Sequence, residues 1–196
     1  MSALRLVWHE ARTELRTGLR SGIVGLVFLG LAAYLLMSLT NADYVQKMGA
    51  ADIPRNAPSL VYLMSTGCMF FLFFAWAWVF AQPLLRDRQA SLHEVMLSMP
   101  SSLTAVLWGR FIGAALVGGV LAGSLIAGFI ATPLLDWLSL VPHGSITAPP
   151  WAALAFAWFW LLWPVGIGIG ALYFPATFRL RSVPGASSLP GRKCVV

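Results

Sequence analysis

The chain is predicted to be an all-α integral membrane protein with four transmembrane helices, on three observations. Hydrophobic residues make up 59% of the sequence and charged residues 10%, against roughly 25% charge in a soluble domain. Mean hydropathy is +0.78, and the apolar residues are gathered into four long runs. Lipid offers the backbone no hydrogen-bond partner, so each run must close its own bonds as a helix.

Residues 1–20 form an amphipathic unit ahead of the first run. Leu4, Val7, Trp8, Ala11, Leu15 and Leu19 recur at helical spacing, arginines gather on one flank, and Glu10 and Glu14 lie on the other. This pattern predicts a helix lying in the membrane interface, anchored by Arg5, Trp8, Arg12, Arg16 and Arg20. The transmembrane domain is expected over 21–175, with spans at about 21–39, 59–85, 111–135 and 151–174. Each is long enough for a hydrocarbon core of about 30 Å at 1.5 Å per residue. The second is drawn to stop at Leu85, because burying Arg86 at a helix centre costs about 2.5 to 3.5 kcal/mol. Residues 176–196, rich in Ser, Pro and Gly, are expected to be a disordered cytoplasmic tail.

Eleven Lys and Arg residues flank one set of run ends and two the other. The positive-inside rule then places both termini and the connector between spans two and three in the cytoplasm, with the protein in the plasma (inner) membrane. This distribution accounts for the formal net charge of +6, so a nucleic-acid partner is not expected. The connector opens Arg86-Asp87-Arg88, and Leu92, Val95, Met96 and Met99 make an apolar stripe at i, i+3, i+4 and i+7. It is predicted to hold a short amphipathic helix that stops at Pro100, followed by a second helix capped by Ser101 or Ser102. Gly109 with Gly113, Ala114 with Gly118, and Gly119 with Gly123 are spaced four apart, a pattern that lets helix backbones approach closely. Pro164 is expected to bend the fourth span.

No Asp, Glu, Lys, Arg or His falls inside the four runs as drawn, which argues against an ion-coupled carrier. His9-Glu10 and His93-Glu94 have Thr13 and Leu97 where a zinc motif needs its second His, and Gly185, Gly191 and Lys193 miss the phosphate-loop spacing. Neither metal nor other cofactor is expected, nor a catalytic group. Cys68 and Cys194 are poorly placed for a disulfide.

The order of basic amphipathic helix, span, modest loop, span and Arg-Asp-Arg-x-x-Ser-Leu-His-Glu-Val-Met-Leu-Ser-Met-Pro connector, followed by Gly109-Arg110, resembles the membrane (permease) subunit of type-2 ATP-binding-cassette (ABC) exporters. The likeness covers roughly Leu4 to Leu135, with Ala90 where the family often has Gly. It implies an elbow helix at the N-terminus and a coupling helix in the connector. Arg86, Asp87, Arg88, Ser91, His93 and Glu94 would then contact a separate ATPase subunit. It also implies a second permease copy or homologous half, in contact with membrane lipid. Such subunits usually have six spans and this sequence supplies four, so a shortened permease and a four-span relative are both open. The alternative is a non-transporting membrane scaffold that acts through helix-helix association.

Overall fold

A computed structural model describes residues 3–47, 53–89, 103–142 and 145–182. Among these the regular structure is helical: α1 (Ala3–Arg20), α2 (Gly22–Thr40), α3 (Ala42–Lys47), α4 (Pro58–Gln89), α5 (Leu103–Ile130), α6 (Pro133–Trp137), α7 (Trp151–Phe156), a π-helical turn (Ala157–Leu162) and α8 (Trp163–Ser182). Four helical segments are long and apolar enough to cross a membrane: Gly22–Thr40, Pro58–Arg86, Leu103–Trp137 and Trp151–Thr177.

Three helices extend beyond their apolar runs, past Arg86, Arg110 and Pro175. α4 continues unbroken through Arg86 to Gln89, because Leu, Arg and Gln are good helix formers. α5 begins at Leu103, so the expected second connector helix and the third span are one helix and Arg110 lies two turns inside it. The Ala-Thr-Phe-Arg-Leu-Arg stretch carries α8 to Ser182, well past the expected end at Phe174, and the tail's breakers Pro184 and Gly185 come later. Ahead of Pro164 the chain widens into the π turn Ala157–Leu162. Proline lacks an N–H and crowds the carbonyl four residues earlier, and a π turn absorbs both defects.

α5 is the central element. Its buried residues include Gly109, Gly113, Val117, Leu121, Leu125 and Phe129, and it packs against α1, α2, α4 and α8. α1 and α2 follow it in the same direction. Val7 and Glu10 meet Gly109, Ala11 and Glu14 meet Gly113, Gly18 meets Val117, and Ala32 and Leu35 meet Gly128. A Cβ on Gly109 would stand 2.7 Å from the Val7 carbonyl oxygen, and one on Gly113 would stand 2.8 Å from that of Ala11. No other residue type permits this approach, and glycines spaced four apart put both notches on one face. Gly118 receives the indole of Trp76 from α4, whose Nε1 donates to the Gly118 carbonyl at 3.0 Å. Gly119 lies against Trp163, and its carbonyl accepts from Trp158 Nε1 at 3.2 Å. Gly123 stands apart: a Cβ there would meet nothing within 4 Å.

α1 buries one edge of the stripe its apolar residues mark, together with the flank that carries Glu14. Ala11 and Glu14 are buried, while Leu4, Trp8 and Leu19 are exposed along with Arg5, Arg12, Arg16 and Arg20. The aromatic second span also divides, with Trp76 and Phe80 buried and Phe70, Phe71, Phe73 and Phe74 exposed.

At the end of the bundle remote from the connector, the two inter-span loops are joined. Asn56, 1% exposed, donates from Nδ2 to the carbonyls of Thr147 and Ala148. Its Oδ1 accepts from the Thr147 N–H at 2.9 Å and from Thr147 Oγ1 at 3.0 Å. The Arg55 N–H donates to the Ser145 carbonyl at 2.7 Å. Asn56→Ala removes the bonds of this buried side chain and leaves the exposed Thr147 groups to water. It is expected to cost about 2 to 3 kcal/mol and to speed hydrogen exchange at the Thr147 amide. Unchanged exchange there would show that the loops are held together by other means.

Candidate functional site

At the connector end, the last turn of α4 and the first turns of α5 both reach α1, and four charged side chains meet there. Glu10 and Glu14 stand four residues apart on α1, on one helical face. Like charges at that spacing repel, so the pair calls for cations from neighbouring elements, and α4 and α5 each supply one. Arg86 Nη2 donates to Glu14 Oε1. Arg110 Nε lies 3.6 Å from Glu10 Oε2, an ion pair longer than a hydrogen bond. Glu14 and Arg110 are 6% and 7% exposed, whereas the Arg86 side chain is 41% exposed. The Gly109 and Gly113 notches bring α1 close enough for both pairs to form.

Burial is the larger influence on Glu14 and pushes its pKa above the ordinary 4.5. Arg86 and Arg110 pull it down, and Glu10 adds to the rise. A carboxyl raised in the folded state stabilises the fold below the unfolded pKa, and that contribution is lost as pH rises through the folded value. The melting temperature of the native chain should therefore gain on that of Glu14→Gln as pH falls from 7 toward 4.5. A gain in the opposite direction would mean that the arginines outweigh burial.

Compared with family models, curated proteins and solved structures, the chain matches none. The cluster is thus read from its own geometry.

Of the expected ATPase-contacting residues, Arg86 is in the cluster. Asp87 and Arg88 lie in the last turn of α4, where the described structure is backbone alone, and Ser91, His93 and Glu94 lie outside the described residues. Ser101 and Ser102 lie outside them too, as do the expected amphipathic helix over the connector and Cys194. Cys68 is buried in α4. Glu10 and Glu14 are outside the set of residues expected to contact an ATPase. Their signal was a like-charged i, i+4 pair on an arginine-rich helix, with Gly-Arg and a further Gly four positions on at the start of α5.

Proposed function

We propose that the chain is the permease component of an ABC-type exporter, lying in the plasma (inner) membrane with both termini and the connector in the cytoplasm. ATP hydrolysis belongs to a separate subunit, and a second permease copy or homologous half completes the transporter. The observation that carries this reading is the pairing of both connector arms to one helix: Arg86 of α4 on Glu14, and Arg110 of α5 on Glu10. A partner that displaced the connector would move the second span, the third span and α1 together through these contacts.

Two features fit that setting. α5 has 28 residues, about 42 Å at 1.5 Å per residue, some 12 Å more than a hydrocarbon core. That excess lets its first two turns and Arg110 lie at the cytoplasmic edge. The exposed face of α1 presents Leu4, Trp8 and Leu19 beside Arg5, Arg12, Arg16 and Arg20, which suits contact with lipid headgroups, while its buried face runs alongside α5 and not across it as an elbow helix would. Arg86, Asp87, Arg88, Ser91, His93 and Glu94 are assigned to the ATPase contact.

Co-purification tests the assignment. Reversing the charges of Arg88 and Glu94 should lower ATPase recovery by about tenfold, a loss of about 1.4 kcal/mol in affinity. Unchanged recovery, with a chain that stays a lone oligomer, would favour a membrane scaffold acting through helix association.

A further inference from the structure

Two cavities on one side of the bundle meet at Trp78, and their linings differ in kind. The first, about 170 Å³, lies among α1, α2, α4 and α5 and has a polar part made by Glu14, Thr17, Ser21, Gln82 and Arg86. A water's share of liquid is about 30 Å³, so the space suits a small polar headgroup. The second, about 500 Å³, is a trough between α2 and α4, walled by Ile23, Val27, Tyr34, Phe71 and Phe74. Trp78 lines both. At Gly30, which also lines the trough, a Cβ would meet nothing within 4 Å, so the trough is open there. From Ile23 to Tyr34 the helix rises about 16 Å, enough to lay an acyl chain along it.

We propose that a single anionic phospholipid binds here, its phosphate at Arg86 and Gln82 in the polar cavity and one acyl chain in the α2–α4 trough. Charge selects the occupant. Arg86 and Glu14 are the charged residues lining the cavity, and the exposed Arg16 and Arg20 adjoin its lining residues Thr17 and Ser21 in sequence, which leaves this stretch net positive. The Arg86 side chain is 41% exposed where it lines the cavity. A guanidinium fork carries five N–H donors, more than one carboxylate oxygen uses, and phosphate is a strong acceptor for the rest. The trough is almost wholly apolar and lies on a face built of spanning helices, which suits a chain already in the bilayer. The site is a property of this chain by itself, whether or not an ATPase docks on it, and its test uses no partner.

The experiment is native mass spectrometry of the purified full chain, delipidated in detergent and titrated with phosphatidylglycerol or phosphatidylcholine. One phosphatidylglycerol per chain should be retained, about tenfold more tightly than phosphatidylcholine. Gly30→Leu adds a side chain to the trough at a position where its Cβ meets nothing within 4 Å, and Arg86→Gln removes the fork. Each should weaken retention by about tenfold, while Gly67→Leu, another open helical glycine away from both cavities, should not. Equal retention of the two lipids would overturn the proposal. So would retention unmoved by Gly30→Leu, which marks ordinary annular lipid, and so would full displacement by inorganic phosphate, which marks a phosphate pocket with no role for the chain.

Discussion

Gly113→Leu is expected to force α1 off α5 and to give the largest stability loss of any single substitution in the bundle. A Cβ at position 113 would lie 2.5 Å from the Glu14 Cβ and 2.8 Å from the Ala11 carbonyl oxygen. The carbonyl is backbone, so the whole helix must shift. Overpacking of this kind costs about 1 to 3 kcal/mol. Separating α1 from α5 also pulls Glu14 from Arg86 and Glu10 from Arg110, which takes the expected loss to about 3 kcal/mol or more. The comparison is Gly123→Leu on the same helix, where the added Cβ meets nothing within 4 Å. That variant should be neutral, or better by up to about 1 kcal/mol through helix propensity. Thermal melting in detergent reads both, and equal losses would mean that the α1–α5 notch is not what holds these helices together.

Glu14→Lys carries the second large effect. It places a third cation beside Arg86 and Arg110 at a position 6% exposed and turns an ion pair into a repulsion. Breaking a buried pair costs about 3 to 5 kcal/mol. The loss here should be about 2 to 3 kcal/mol, because the partly exposed Arg86 can turn to water. Adding Arg86→Glu to Glu14→Lys restores opposite charges and should recover a good part of the loss. If the two substitutions are instead additive in a double-mutant cycle, the residues do not interact and the connector arm of α4 is not tied to α1. Glu14→Gln, by contrast, removes a carboxylate whose burial outweighs its pairing, so at neutral pH it should be close to neutral.

The four spanning segments were legible in the sequence because lipid imposes one requirement, about twenty apolar residues with every backbone bond closed internally. That requirement is local to each run. The segment ends were less legible. A charge such as Arg110 limits how far a span reaches into lipid but not where its helix begins, and here it sits within α5 beside Glu10 of another element. Pro164 signalled a disturbance, but its form, a π turn over Ala157–Leu162, depends on how the neighbouring helices fix the chain on either side.

The glycine spacing in the third span announced close packing, but not which helix would fill each notch. Gly109 and Gly113 take α1, Gly118 takes Trp76, Gly119 takes Trp163, and Gly123 stays open. The candidate site was half visible. Arg86 stands out by its place at the end of a span, while Glu10 and Glu14 show only as the acidic flank of the first helix. An acidic pair on an arginine-rich helix has no evident purpose until the arginines of α4 and α5 stand beside it.

The sequence by itself determined the class, the number of spanning helices and the presence of a small-residue face, because these follow from solvent and from residue size. Only the tertiary structure decided which face of α1 turns inward and which charges pair. It likewise decided that the two inter-span loops close on Asn56. Those choices join residues as far apart in sequence as Glu10 and Arg110, and no periodicity along one helix records what another helix will bring to it.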